Sequence, residues 1–323
     1  MTRSRDKKGA GVPPMAELPP AEQVDPAEIM RIYSEGEADL ICVLGPTASG
    51  KTRYAVSLAR ALDALGAHVE IISADSRQVY RGMDIGTGKD LDEYGEIPVH
   101  LVDIAPAGSK YNIFQYQQDF EKVYSDIRAR GGLPLLCGGS GLYIEAVTSG
   151  YSLPDVPASP ELRARLEKED TDTLIKMLAS LKPLHNSTDY DTRKRLIRAL
   201  EIAIYQQEHP VDTSHFLPKN TYFIGTLVDR DERNARIDRR LDARFEEGMT
   251  EEVKGLLESG IPPEDLIYYG LEYKYITLYL TGQMTFPQMK ERLAIAIHQF
   301  AKRQMTWFRG MEHRGIRIHW TRV

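Results

Sequence analysis

Residues 45 to 52 form an unbroken G-x-x-x-x-G-K-[ST] loop: Gly45, Pro46, Thr47, Ala48, Ser49, Gly50, Lys51 and Thr52. The apolar run Leu40-Ile41-Cys42-Val43-Leu44 leads straight into it, and a helical pattern follows from about Lys51 to Leu65. A buried strand that enters a glycine-rich turn and leaves as a helix is the setting in which such a loop cradles phosphate. Gly45 and Gly50 let the backbone curl until successive N–H groups converge, and the helix N-terminus adds about half a positive charge. Lys51 supplies a mobile ammonium and Thr52 a hydroxyl placed for a magnesium ion shared with the phosphates. A ligand with a di- or triphosphate is expected, whether or not it is a nucleotide.

The strand pattern extends the constraint to the whole fold. Apolar strands at about 39–44, 69–73, 99–104 and 133–137 alternate with helices at 51–65 and 113–130, the signature of a parallel sheet with helices on both faces. The fold class is therefore α/β, a P-loop NTPase-like sheet flanked by helices. At 42% hydrophobic and 27% charged, the 323 residues can bury a large core. No run approaches the ~20 apolar residues of a membrane span and no secretion signal opens the chain, so a cytoplasmic protein without a membrane partner is expected. Cys42 and Cys137 lie in apolar runs and read as small buried hydrophobes.

Residues 1–24, with Pro13-Pro14 and Pro19-Pro20, read as a flexible tail. The catalytic core is expected at 25–150 and 191–323, with a polar helical insertion over 151–190. After the insertion come a strand at Tyr222–Val228, long helices at about 191–207, 231–248 and 285–310, and a short strand at Ile316–Trp320. The net charge is −6, yet Met284–Val323 holds eight Lys or Arg against two Glu, so that stretch carries +6 and the rest −12. A localised basic surface of this kind suits phosphate-backbone contact; a solvated helix face is the plainer reading.

In open α/β sheets ligands bind beyond the carboxyl ends of the strands. Three strand ends carry the chemistry: the loop, Ala74-Asp75-Ser76-Arg77-Gln78-Val79-Tyr80, and Gly138-Gly139-Ser140-Gly141-Leu142-Tyr143. Asp75 has three open roles, as an outer magnesium ligand, a general base toward an acceptor, or a helix cap. Asp103 resembles a strand-end acid that holds magnesium in ATPases, which keeps a kinase in view. A non-enzymatic RNA binder would leave the loop and Asp75 idle.

Taken in order, the loop, Asp75-Ser76-x-Gln78-x-Tyr80, Gly82-Met83-Asp84-Ile85-Gly86-Thr87, Gly138–Tyr143, Arg195-x-x-Arg198-Ala199-Leu200-Glu201 and Ala301-Lys302-Arg303-Gln304-x-Thr306-Trp307-Phe308-Arg309 resemble the motifs of tRNA dimethylallyltransferases, from about Leu40 to Arg309. The resemblance implies a P-loop fold turned to prenyl transfer, in which dimethylallyl diphosphate occupies residues 45–52 and its five-carbon group goes to N6 of adenine 37, beside the anticodon. It implies Asp75 as the base, Thr52 with Mg2+, and Arg240 reaching the diphosphate. For the tRNA anticodon stem-loop it implies Asp75, Ser76, Arg77, Gln78, Ser140, Arg163, Lys194, Arg195, Arg198, Lys302, Arg303 and Gln304, on a monomeric enzyme. A free-adenylate prenyltransferase shares this fold and chemistry but has little use for a basic carboxyl-terminal region. The chain departs from the family pattern at Gly88 and Asp90, commonly Ala and Pro, and at Ile297-His298, commonly Thr-Arg. Its Gly270-Leu-Glu-Tyr-Lys274 segment is two residues longer than the commoner Gly-Tyr-Lys form. These departures are expected on the RNA-facing side.

Overall fold

The computed structural model describes residues 18–149, 156–181, 192–209 and 218–323. The first half runs α1 (Pro26–Ser34), β1 (Leu40–Leu44), α2 (Lys51–Asp63), β2 (Val69–Ser73), β3 (Tyr80–Arg81), β4 (Val99–His100), β5 (Ala105–Pro106), α3 (Ile113–Ala129), β6 (Leu133–Gly138) and α4 (Gly141–Thr148). Next come α5 (Pro160–Leu166), α6 (Thr171–Leu181), α7 (Arg193–Glu208), β7 (Thr221–Leu227) and α8 (Arg230–Glu246). The chain ends with α9 (Met249–Glu258), α10 (Pro263–Tyr268), α11 (Leu271–Leu280), α12 (Phe286–His313) and β8 (Ile318–Arg322).

Six strands form one parallel sheet in the order β4-β2-β6-β1-β7-β8. Successive strand residues point to opposite faces, so a strand buried on both sides must be apolar throughout. In β1, Leu40, Cys42 and Leu44 face the cluster built with α3, α4 and α12, whereas Ile41 and Val43 face α1 and α2. Both cysteines are free and buried, as expected. Because β1 is central, the loop leaving it emerges at the middle of the sheet's carboxyl edge.

Several boundaries differ from expectation. Residues 1–17 of the expected tail lie outside the described residues, but 18–24 are tied down: Glu22 N–H donates to the Trp320 carbonyl at 2.6 Å, and Leu18 and Val24 pack on the core. The strand expected over 99–104 stops at His100, because Leu101 and Asp103 take left-handed φ values of 62° and 55°. Asp103 and Ala105 then hydrogen-bond back to Gln78 and Val79. Helix α7, assigned to the core by its position after residue 190, packs instead on α5 and α6 through Leu196, Ile197, Leu200 and Ala203. The helical module therefore extends through α7, with 150–155 and 182–191 outside the described residues. Helices α9–α11, for which the sequence carried no expectation, join α8 and α12 around a further core containing Met249, Tyr269, Tyr273 and Leu293.

Candidate active site

The phosphate loop is held from three sides. Gly45 lies so close to β7 that a Cβ there would collide with the hydroxyls of Thr226 and Ser49, which bond to each other at 2.7 Å. Ala48 and Gly50 are left-handed, with φ of 60° and 80°, and give the curl. Gly50 caps α2 without a side chain, so the first-turn amides stay available to an anion. Gln304, from the middle of α12, clamps the loop: its Oε1 accepts Thr47 N–H at 2.8 Å and its Nε2 donates to the Gly139 carbonyl at 2.8 Å. Arg240 of α8 donates to Thr47 Oγ1.

Across the crevice, Asp75 follows the end of β2. Its Oδ1 accepts Arg77 N–H at 2.9 Å, but residues 76–79 form a turn and no helix follows, so Asp75 braces a turn rather than capping a helix, and Oδ2 is left for other work. Ser140 Oγ accepts Ser76 N–H at 3.2 Å, and Gln78 Nε2 donates to the Gly88 carbonyl at 2.9 Å. The turn that carries Gly88 is fixed by Glu252 of α9, whose carboxylate accepts the N–H groups of Asp84, Ile85 and Gly86 at 2.8, 2.8 and 3.1 Å and the Tyr273 hydroxyl at 2.6 Å. Buried Lys89 closes the same turn on the Tyr80 carbonyl, Asp84 and Asp103. The Arg77 guanidinium lies 5.7 Å over the exposed Tyr268 ring.

These walls enclose a cavity of about 620 Å3, a size suited to a small ligand. Thr47, Ala48, Gly50, Lys51 and Thr52 line it on the loop side, and Asp75, Ser76, Arg77, Gln78 and Ser140 on the other. Arg240 and Gln304 complete the set of expected residues it gathers. Gly45, Pro46 and Ser49 frame the loop from behind. Burial lowers the Lys51 ammonium below its usual range, with Cys137 and Asp75 opposing and Arg240 adding to the fall. Burial, then the charge of Arg244, brings the Arg240 guanidinium down to about 10. Glu272 is pushed up by burial against the pull of Arg244 and Arg240. Cations held at a cost by burial are stabilised when an anion enters.

The remaining expected residues lie elsewhere. Arg163 and Arg198 grip Glu201, a carboxylate only 2% exposed that also accepts Ser159 N–H at 2.6 Å. Lys194 and Arg195 are exposed at the start of α7. Lys302 and Arg303 are exposed on α12, with Arg303 stacked 5.9 Å over Phe300. The +6 stretch is not one open surface, since Lys290 pairs with Asp242, Arg314 with Glu145, and Arg322 with Asp229. Asp103 does not line the cavity and is paired with Lys89. The departures Gly88, Asp90, Gly270, Leu271, Glu272 and Ile297 all line this cavity, which the loop shares with Ser76, Arg77, Gln78 and Ser140 of the expected RNA-facing set. Sequence reasoning missed Arg236, Arg244 and Glu272; the four-residue spacing of arginines from Arg236 was the signal available.

A family model described as IPP transferase matches residues 78–311. The chain is 61% identical over 285 residues to tRNA dimethylallyltransferase 2 of Porphyromonas gingivalis, covering 87% of this chain and 93% of that one. To tRNA dimethylallyltransferase 1 of Parabacteroides distasonis it is 56% identical over 286 residues, covering 87% and 92%. Among solved structures, the full-length tRNA isopentenylpyrophosphate transferase of Bacillus halodurans superposes with a TM-score of 0.63 at 34% identity, over 88% of this chain and 89% of that one.

Proposed function

The chain belongs to the IPP transferase family, and from that premise we propose that it transfers the dimethylallyl group of dimethylallyl diphosphate to N6 of adenine 37, beside the anticodon of tRNA, giving N6-(dimethylallyl)adenosine and diphosphate. The observation that carries this reading is one cavity in which Lys51, Thr52 and Arg240 face Asp75. A phosphate-holding wall opposite a carboxylate is what alkylation of a weak nitrogen nucleophile requires.

The adenine amine is weak because its lone pair is delocalised into the ring. As N6 attacks the allylic carbon, the C–N bond forms, the C–O bond to diphosphate breaks, and the N6 proton passes to Asp75. Such a positioned base contributes about 10²–10⁴ in rate. Charge grows on the departing diphosphate, where the loop amides, Lys51 and Arg240 offset it. The donor set suits Mg2+: a Thr52 hydroxyl in the same cavity as Asp75 matches an ion that takes most of its ligands from phosphate and water. Among the described residues no group of three or more His, Cys, Asp or Glu forms a cage for a metal. Thr52 would hold the ion, which would supply further neutralisation of the leaving group.

The target base must leave its stack, at a cost of a few kcal/mol that backbone contacts offset. Ser76, Arg77, Gln78 and Ser140 receive it at the cavity wall, the helical module with Arg163, Lys194, Arg195 and Arg198 meets the anticodon stem, and Lys302-Arg303 contact phosphates. The module is the RNA-binding domain and the sheet with α8–α12 the catalytic core. The protein works as a cytoplasmic monomer; no described helix is long and apolar enough to cross a membrane. Incubation with labelled dimethylallyl diphosphate and, separately, tRNA, AMP or ATP tests the proposal. Label is expected on tRNA alone, and label on AMP would move the acceptor to free adenylate.

A further inference from the structure

Helix α8 presents more positive charge to the cavity than the loop-bound arginine accounts for. Arg236, Arg240 and Arg244 stand four residues apart and all line the cavity. At 1.5 Å rise per residue they form one stripe about 12 Å long. Arg236 is paired with Glu232 at 2.9 Å, and Arg240 donates to Thr47 of the loop. Arg244 differs. It is only 6% exposed, yet its buried Nη2 makes no hydrogen bond. The nearest acid, Asp90 Oδ2, is 3.6 Å away, close enough for charge attraction and too far for a hydrogen bond.

The surroundings are shaped to this guanidinium. Gly88, at φ +63°, lies directly against it, and a Cβ there would collide with Cζ and both terminal nitrogens. Glu272, in the same wall, is a weak counter-charge, since burial raises its carboxyl despite both arginines. Gly88, Asp90 and Glu272 all fall in segments where the sequence departs from the family pattern. Departures far apart in the chain thus meet around one incompletely bonded cation.

We propose that Arg244 is a second guanidinium ligand for the bound diphosphate, taking oxygens beyond the reach of Arg240 and resting against Asp90 until the ligand enters. This rests on the reading above that a diphosphate fills the cavity. A buried guanidinium with an unused N–H is matched best by a phosphate oxygen, because charge-assisted bonds of this kind are short, strong and often forked. Asp90 is a holding partner only: at 3.6 Å it contributes charge without a hydrogen bond, so a phosphate displaces it without breaking one.

Calorimetric titration of the full chain with inorganic diphosphate tests the proposal. Arg244→Gln is expected to weaken binding about 10- to 100-fold, the range for one hydrogen bond to a charged group. Asp90→Asn, which removes the holding acid, is expected to leave binding unchanged or tighten it. Arg244→Lys keeps the charge but loses the fork, and should weaken binding about 3- to 10-fold; it decides the matter if the Gln variant does not fold. Unchanged affinity in the Arg244 variants would overturn the proposal. Equal weakening by Arg244→Gln and Asp90→Asn would also overturn it, because the pair would then merely brace the Gly88 turn. If the wild-type protein bound no diphosphate, the reading of the cavity itself would fail, an outcome distinct from either.

Discussion

Gln304→Ala separates a loop clamp from an RNA contact. The side chain is 7% exposed and spans 257 residues in sequence to reach Thr47, donating at its other end to the Gly139 carbonyl. Truncation removes two hydrogen bonds, each worth about 1 kcal/mol net, and strands the buried Gly139 carbonyl at about 1–3 kcal/mol more. The total, about 3–5 kcal/mol, would lower the melting temperature by about 4–7 °C in a chain of this length. The Thr47 amide also loses its anchor at the mouth of the phosphate loop, so affinity for dimethylallyl diphosphate should fall about tenfold or more while tRNA affinity holds. Differential scanning calorimetry and separate binding titrations for the two substrates make the comparison. Weakened tRNA binding with unaltered diphosphate affinity and melting temperature would refute the clamp and restore Gln304 to the RNA surface.

Replacing Lys51, Thr52 or Arg240 singly with Ala should damage diphosphate binding and the chemical step, with equilibrium tRNA binding nearly unchanged; a tRNA defect at unaltered chemical rate would move that residue to the RNA side. Lys302→Gln with Arg303→Gln should raise KM for tRNA and flatten log affinity against log salt by about 0.7–0.9 per lost phosphate contact; identical slopes would make the pair a solvated face. Burial alone would raise the Glu201 carboxyl, but Arg163, Ser159 N–H and Arg198 outweigh it and hold it at about 2 rather than 4.5. A depressed carboxyl stabilises the fold above its unfolded value, so about 3 kcal/mol is present above pH 4.5 and lost as pH falls toward 2. Acid unfolding of the helical module followed by circular dichroism should therefore flatten in Glu201→Gln, and superimposable wild-type and variant curves would contradict the assignment.

What could be read from the sequence was local. The strand Leu40–Leu44, the loop and α2 are consecutive, so spacing and hydrophobicity specify them together, and Asp75 follows its strand directly. What could not be read depends on which surfaces meet. The apolar stripe of α7, Leu196-Ile197-Leu200, shows that one face is buried but not against what, and it meets Leu166, Leu174 and Leu178 rather than the sheet. Glu252 lies in an ordinary amphipathic helix, and nothing near it in sequence tells that it receives three amides from 84–86. The strand after Pro98 is shorter than expected because two left-handed residues bend the chain away beyond His100, one of them Asp103, whose acid is taken by Lys89. The basic carboxyl-terminal stretch looked like a surface because charge was counted along the chain, whereas Lys290, Arg314 and Arg322 find acids on other elements.

The central claim is that Asp75 takes the proton from adenine N6 while the loop holds the leaving diphosphate. Single-turnover prenylation of tRNA by Asp75→Asn, with both substrates saturating, tests this most directly, since the amide keeps the Oδ1 acceptor that bonds Arg77 N–H but is far too weak a base. The account predicts a chemical step slower by about 10²–10⁴ with diphosphate affinity and melting temperature near wild type; a single-turnover rate within a few-fold of wild type would contradict it.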